Sequence, residues 1–165
     1  MHPEDEDKSG LLEENGIWLF TGDVDDDTYA DTIRWIMEEN IDSKHEALTM
    51  VIHSQGGDLN SGFAICDCMA GSHIPIRTLG LGVVASMGLL MFIAGKKGER
   101  ILTPNTLVMS HQWAGSGANG KEHELLAGIK GNNLVSDMVL RHYKNIQGCR
   151  LVKSRNTCCR RAMCI

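Results

Sequence analysis

Residues 76–94 read IRTLGLGVVASMGLLMFIA, and this stretch decides the fold. Its first five residues, 76–80, predict a buried β-strand. Small residues follow over positions 82–85 and allow the chain to turn sharply. Residues 86–94, which are apolar after Ser86, predict a short helix that begins at this serine. A strand that leads directly into a helix is the repeating element of α/β proteins.

The same alternation continues on both sides of this stretch. Short apolar runs predict strands over residues 17–20, 48–52 and 106–109, and longer periodic segments predict helices over residues 25–40, 61–70 and 122–146. Alternating strands and helices predict a single α/β domain with a mainly parallel sheet. No internal repeat is detectable in the sequence itself.

Composition and charge narrow the class of protein. A chain of 165 residues with 22% charged residues is typical of one globular domain, and its net charge of −5 argues against a nucleic-acid binder. No apolar run approaches the roughly 20 residues that span a bilayer, so we expect no membrane insertion. Residues 1–16 form an acidic segment without the features of a signal peptide, which predicts a cytoplasmic protein.

The C-terminal residues differ sharply in charge from the rest of the chain. Residues 149–165 contain five basic and no acidic residues, whereas residues 1–148 contain 11 basic and 21 acidic residues. One interpretation is a basic interaction tail. The other, which the abrupt change favours, is a shift of the reading frame near Gly148 that replaces the natural C-terminal part.

The six cysteines do not predict a metal or redox centre. Cys66 and Cys68 point in different directions on a predicted helix, and the other four crowd into residues 149–165 without forming a Cys-x-x-Cys pair. We therefore expect free thiols and no metal site.

Chemically suggestive residues follow three of the predicted strands. Gly56 and Gly57 follow the second strand, Ser86 the third and His111 the fourth. In open parallel sheets the carboxyl ends of the strands meet at one edge, where ligands bind. We therefore predict that these residues converge on one site.

Ser86 and His111 are typical of a nucleophile and its general base. A serine at a helix N-terminus lies near unpaired N–H groups, but its hydroxyl needs a base at neutral pH. The alternatives are a helix-capping role for Ser86 and His53, which also follows a strand, as the base. Consecutive glycines can present an N–H group that stabilises an oxyanion together with the N–H of Met87. Their alternative role is a plain turn.

Three motifs together resemble the proteolytic subunit of the ATP-dependent Clp protease. They are Ser-Gln-Gly-Gly at residues 54–57, Gly-x-x-Ala-Ser-Met-Gly at residues 82–88 and Met-Ser-His-Gln at residues 109–112. The resemblance runs from about residue 18 to residue 148. It implies a nucleophile at Ser86, a base at His111, oxyanion donors at Gly57 and Met87, and peptide-bracketing strand positions at Leu59 and Ala114. It implies no cofactor.

The resemblance also implies an architecture and a set of partners. The family fold is built from repeated β-β-α units, as in crotonases, and residues 121–147 resemble the long handle helix through which two heptameric rings stack. We accordingly expect a Clp-like domain over residues 17–148, with its C-terminal part missing. The expected partners are further copies of the chain, an ATP-dependent unfoldase, and peptides or unfolded proteins as substrates.

The sequence departs from the family pattern in three respects. Gln55 and Trp113 replace the usual prolines, and no Asp or Glu follows Asp137, whereas the family completes its catalytic triad with an aspartate beyond the handle helix. Disabling the acid of a serine protease triad lowers kcat by about 10⁴. We therefore expect feeble activity or none.

Three other functions are open alternatives. Residues 115–121 match the G-x-x-x-x-G-K pattern of a P-loop, but Glu122 stands where a Ser or Thr should hold Mg²⁺, which argues against nucleotide binding. A catalytically silent subunit of a Clp-like ring would account for the absent acid. A crotonase-type acyl-CoA enzyme would use oxyanion N–H groups but would not need a Ser–His pair.

Overall fold

The computed structural model describes residues 10–42, 44–112 and 120–144. After a short 3₁₀ helix at Glu13–Asn15, the described residues form five strands, β1 Ile17–Val24, β2 Leu48–Gly57, β3 Ile76–Ala85, β4 Arg100–Leu102 and β5 Leu107–Met109. They also form four α-helices, α1 Asp26–Asp42, α2 Leu59–Gly71, α3 Met87–Ala94 and α4 Glu122–Lys144.

The strands form one parallel sheet in the order β1-β2-β3-β4, and β5 also pairs with β3. Residues 78–80 of β3 pair with β4, and residues 83–85 pair with β5. The predicted α/β class, with a mainly parallel sheet and a long C-terminal helix, is therefore confirmed.

Irregularities divide the long strands before the helices that follow them. The pairing of β1 with β2 shifts between Thr21 and Asp23, and the pairing of β2 with β3 shifts between Ile52 and Ser54. The two halves of β3 have different partners. Each long strand thus acts as two short strands followed by a helix, which is the β-β-α unit that the resemblance implied.

The core lies between the sheet and helices α1, α2 and α3. Seven of the eight residues of α3 are buried, so this helix is enclosed on nearly every side. On α1, Trp35 stacks against Trp18 of β1 with ring centroids 5.6 Å apart, and Trp18 Nε1 donates to Thr32 Oγ1 at 3.0 Å. Close packing of this kind holds the N-terminus of α3 in a defined place relative to the strand ends.

Strands β1, β2 and β3 are longer than predicted, β5 is one residue shorter, and β4 was not predicted. β2 and β3 continue to Gly57 and Ala85, beyond the apolar runs used for the prediction, because neighbouring strands supply pairing partners there. β4 is three residues long and begins with Arg100, which is buried and donates through Nε to the Gly95 carbonyl at 2.7 Å. With only two apolar residues after Arg100, this strand is too short to show an apolar pattern.

Candidate active site

The pairing of β3 with β5 brings two strand ends together. Ala85, the last residue of β3, is in register with Met109, the last residue of β5. The N–H of Ser86 donates to the Met109 carbonyl at 2.9 Å. Because parallel strands end at the same edge of the sheet, Ser86 and His111 leave that edge side by side.

The side chains of Ser86 and His111 are in direct contact. Ser86 Oγ lies 2.8 Å from His111 Nε2, within hydrogen-bond distance. The Ser86 side chain makes no capping bond to α3, as a purely helix-capping serine would. The serine hydroxyl therefore has a neighbour that is able to accept its proton.

Ser86 has an unusual backbone conformation. Its φ is 51° and its ψ is −122°, and among the described non-glycine residues it alone has a positive φ. Such a conformation costs about 1–3 kcal/mol and persists only where the surroundings hold it. Ala85 and Met87 on either side are fully buried. The strand-to-helix turn is thus held sharply bent, with the hydroxyl directed to His111.

The first turn of α3 offers N–H groups to a ligand. The Leu89 and Leu90 N–H groups bond to the Ser86 carbonyl at 3.1 and 3.3 Å. The N–H of Met87, the first helical residue, has no acceptor within the helix, and the helix N-terminus favours negative charge. The Met87 N–H is therefore suited to an oxyanion that forms beside Ser86.

The paired glycines at the end of β2 make close contacts. Gly56 has a φ of 106°, and a Cβ placed on it would lie 2.6 Å from Ser86 Cβ and 2.9 Å from the Met87 nitrogen. Gly57 has a φ of 148°, and a Cβ there would collide with the carbonyl oxygen of Val24. The glycines let β2 pass closely against both β1 and the Ser86 turn, which a side chain at either position would prevent.

Helix α4 forms one wall of a small pocket at this pair. The pocket is lined by Leu59, Ser86, Met87, Leu90, His111, Val139 and Tyr143. Tyr143 Oη lies 2.8 Å from Ser110 Oγ, so the last turn of α4 is bonded to the residue before His111. Sequence analysis missed Val139 and Tyr143, since no local pattern reports a contact between residues so far apart in the chain.

A second hydrogen bond joins α4 to α3. His142 Nε2 donates to the Leu90 carbonyl at 2.7 Å, and the ring packs edge-on against Phe63 with centroids 5.9 Å apart. Burial lowers the pKa of His142; the nearby charge of Arg100 lowers it further, whereas the Leu90 bond and Asp67 act in the opposite direction. The His142 imidazole is therefore neutral at neutral pH, where α4 meets the helix that begins after Ser86.

The remaining predicted residues have different positions. Leu59 is the first residue of α2 and not a strand residue, although it does line the pocket. Ala114 lies outside the described residues. His53, the alternative base, contacts the Leu81 carbonyl through Nδ1 at 3.0 Å and does not line the pocket.

A wider cavity is lined partly by Asp25 and Asp58, which cap helices. Their carboxylates accept the N–H groups of Thr28 and Ser61, and these bonds lower the pKa of both aspartates. Within the described ranges, no group of three or more His, Cys, Asp or Glu side chains is arranged to hold a metal ion. In the same ranges, no helix combines the length and the apolar character needed to cross a membrane.

Cys66 and Cys68 are free thiols, as predicted. Burial raises the pKa of Cys66 to about 12, so this thiol is protonated and unreactive at neutral pH. The other four cysteines lie outside the described residues.

Known proteins resemble this chain over most of its length. The family model described as Clp protease matches residues 4–151. The chain is 36% identical over 118 residues to the ATP-dependent Clp protease proteolytic subunit 2 of Nocardia farcinica, which covers 71% of this chain and 58% of that protein. It is 35% identical over 133 residues to the subunit 2 of Tropheryma whipplei, covering 79% and 70% respectively.

A plant relative shows the same similarity. The chain is 32% identical over 127 residues to the ATP-dependent Clp protease proteolytic subunit 3, chloroplastic, of Arabidopsis thaliana, covering 77% of this chain. The chain spans 58% of the length of the Nocardia protein and 41% of the Arabidopsis protein. With a family model that matches nearly all of its residues, the chain belongs to the Clp protease family.

Proposed function

We propose that this chain is a serine-type endopeptidase subunit that hydrolyses peptide bonds of peptides or unfolded proteins through an acyl-enzyme on Ser86. The observation that carries the proposal is the 2.8 Å contact between Ser86 Oγ and His111 Nε2. The names of the relatives, which are proteolytic subunits of ATP-dependent Clp proteases, support the same activity.

The reaction begins when Ser86 Oγ attacks the scissile carbonyl carbon and His111 Nε2 takes up the hydroxyl proton. The carbonyl oxygen becomes an oxyanion bound by the N–H groups of Met87 and Gly57, and each such donor contributes about 3–4 kcal/mol to transition-state stabilisation. His111 then protonates the leaving amine. A water molecule, deprotonated by His111, hydrolyses the ester and regenerates Ser86.

The pocket favours an apolar side chain next to the scissile bond. Its walls include the aliphatic or thioether side chains of Leu59, Met87, Leu90 and Val139. Burial of an apolar substrate side chain against these walls contributes about 25 cal/mol to the binding free energy for each Å² of apolar surface removed from water. Leu59 contributes to these walls from the first turn of α2.

The acid of a catalytic triad affects the expected rate. No Asp or Glu follows Asp137 in this sequence. A serine protease that lacks one triad member retains about 10³–10⁴-fold catalysis over water, so we propose slow turnover. The same absence favours a second candidate function, a catalytically silent subunit in a ring with active partners.

Assembly and location belong to the same proposal. Further copies of this chain form rings in the cytoplasm, and an ATP-dependent unfoldase supplies the unfolded substrate. The words "ATP-dependent" and "subunit" in the names of the relatives support these partners.

Covalent labelling tests the proposed nucleophile. A fluorophosphonate reacts with an activated serine, so we expect the full chain to be labelled at Ser86 and to cleave a fluorogenic peptide slowly. Ser86→Ala should abolish both signals. His111→Gln should reduce both to background, whereas His53→Gln, which also removes an exposed imidazole that bonds a carbonyl, should leave both unchanged.

Each result bears on a different part of the proposal. Peptide cleavage that survives Ser86→Ala would refute the role of this serine. Equal labelling of the His111→Gln and His53→Gln variants would refute the role of His111. Absence of turnover by this chain alone, with full activity in rings mixed with an active relative, would favour the silent subunit.

A further inference from the structure

The second ring nitrogen of His111 contacts the main chain. His111 Nδ1 lies 2.7 Å from the carbonyl oxygen of Gln112, while Nε2 lies 2.8 Å from Ser86 Oγ. Both nitrogens therefore have a partner, although the ring is exposed to solvent. Nδ1 is the position at which a serine protease triad carries its carboxylate.

The chemistry of the carbonyl decides which nitrogen carries the proton. A carbonyl oxygen accepts hydrogen bonds and cannot donate one, so a neutral imidazole makes the 2.7 Å contact favourably only with its proton on Nδ1. Nε2 is then unprotonated and accepts the hydrogen of the Ser86 hydroxyl. General-base catalysis by His111 requires this tautomer.

We propose that the Gln112 carbonyl is a positioning group that holds His111 in the Nδ1–H tautomer and within reach of Ser86, at the place of the triad carboxylate. This inference rests on the proposed function, because the tautomer matters only if Ser86 is the nucleophile. The group belongs to the main chain, so the Gln112 side chain takes no part in it.

The carbonyl preserves one role of the acid and weakens the other. Where an amide side chain replaces the triad acid, the wrong histidine tautomer forms and kcat falls by about 10⁴. A main-chain carbonyl cannot donate a hydrogen bond, so it cannot stabilise that tautomer. It lacks a full negative charge, however, and its bond to the imidazolium is weaker than that of a carboxylate. The expected result is a correctly oriented base with reduced turnover.

The tautomer can be read directly by solid-state ¹⁵N NMR of the full chain carrying ring-labelled histidine. The signals of His111 are those that disappear in His111→Gln. We expect a protonated Nδ1 and an unprotonated Nε2 at a pH where the ring is neutral. A predominantly protonated Nε2 would overturn the inference. This measurement does not depend on catalysis.

The acceptor can be weakened without changing any side chain. Replacement of Trp113 by its α-hydroxy acid analogue converts the 112–113 amide into an ester, whose carbonyl is a poorer acceptor. We expect a larger fraction of the Nε2–H tautomer. We also expect kcat to fall about three- to tenfold at unchanged KM, which is the fold-change that corresponds to the loss of one hydrogen bond.

Two control variants separate this effect from other changes at the same bond. Trp113→Pro also removes the N–H of residue 113 but keeps an amide carbonyl at Gln112, and Gln112→Ala keeps the carbonyl without the side chain. Both should retain the Nδ1–H tautomer.

The proposed function and this inference fail in different ways. An ester variant with an unchanged tautomer would show that another group, such as a carboxylate from elsewhere in the assembly, sets the proton position, and would overturn the inference even if Ser86 is labelled. Absence of labelling at Ser86 together with a protonated Nδ1 would instead refute the proposed function.

Discussion

At the scale of single residues, the candidate site depends on two positions with positive φ that touch each other. Ser86, with a φ of 51°, presents its hydroxyl to His111, and Gly56, with a φ of 106°, passes directly beside it. The strain at Ser86 is offset by the buried residues Ala85 and Met87 around the turn. Because Gly56 has no side chain, this residue places no atom against the Met87 nitrogen, where a Cβ would lie 2.9 Å away.

We expect Gly56→Ala to lower the rate of fluorophosphonate labelling at Ser86 by at least about 100-fold, the effect of losing one oxyanion donor. The added methyl group would lie 2.6 Å from Ser86 Cβ and 2.9 Å from the Met87 nitrogen, so it must displace the turn or cover the N–H. The measurement is the labelling rate of folded protein, with folding checked by circular dichroism.

Gly22→Ala is the matched control for this substitution. Gly22 has a similar φ of 96°, but no atom lies within 4 Å of a Cβ added there. Both variants therefore carry a similar backbone strain, of about 1–3 kcal/mol. Equal labelling rates in the two folded variants would contradict the role given to Gly56.

At the scale of elements, α4 connects the two segments that carry the candidate pair. Tyr143 bonds to Ser110, the residue before His111, and His142 bonds to Leu90 on the helix that Ser86 precedes. Val139 adds a pocket wall. The position of α4 therefore bears on the distance between Ser86 and His111.

Tyr143→Phe should lower kcat by about three- to tenfold, because it removes one hydrogen bond, worth about 0.5–1.5 kcal/mol net, that holds the segment before His111. Ser110→Ala should have the same effect, since it removes the other partner. In the double variant the two losses should not add. Additive losses in peptide turnover would show that the two hydroxyl groups act independently.

The contact between α4 and α3 should make stability depend on pH. Burial lowers the pKa of His142, so at pH values between that lowered pKa and about 6.5 the unfolded chain binds more protons than the folded chain. The stabilising effect of the neutral imidazole is therefore complete above about pH 6.5 and is lost as the pH falls through this window.

Urea unfolding at pH 7.5 and pH 5.5 measures this effect. We expect the unfolding midpoint to fall on acidification by more in the unmodified chain than in His142→Gln, whose amide can still donate to the Leu90 carbonyl. Asp25, Asp58 and Glu99 have lowered pKa values and titrate below this range. An equal shift in both proteins would contradict the assignment.

At the scale of the whole molecule, α4 exposes a large apolar surface. None of its 23 residues is buried, and its large exposed apolar residues are Leu125, Leu126, Ile129, Leu134 and Leu140. Leu126 and Ile129 are 53% and 57% exposed and lie three residues apart, on one face of the helix. Such a surface is typical of an interface between subunits.

Replacing both Leu126 and Ile129 by Glu should therefore shift the mass of the proposed assembly towards that of one chain in sedimentation experiments. Each replaced side chain would no longer contribute the roughly 1.5–3 kcal/mol of association free energy that its burial provides. The new carboxylates would also lose hydration in the interface, which opposes association. Replacing Leu126 by Met and Ile129 by Val, which keeps both side chains apolar, is the control and should leave the mass unchanged. An unchanged mass in the double Glu variant would argue against assembly through Leu126 and Ile129.

Much of the architecture could be predicted from local patterns. The apolar runs at residues 17–20, 48–52 and 76–80 all lie within observed strands, and the periodic segments lie on observed helices. Strand ends were less predictable, because β2 and β3 extend only where neighbouring strands offer pairing partners. β4 was not predicted because its first residue is Arg100. The burial of this charged side chain is accompanied by a bond to the Gly95 carbonyl, which an apolar pattern does not reveal.

By itself, the sequence predicted the order of the strands and helices apart from β4, because periodicity is a local property. Strand-end position named Ser86 with either His111 or His53, and the resemblance to the Clp family favoured His111. Only the tertiary structure decided that Gly56 approaches Ser86, that Tyr143 reaches Ser110, and that Nδ1 of His111 contacts a main-chain carbonyl. The Gly56 contact depends on the pairing of β2 with β3, and the Tyr143 contact depends on the packing of α4. The Nδ1 contact depends on the backbone conformation at residues 111–112. Residue patterns encode neither pairing between distant segments nor exact backbone geometry.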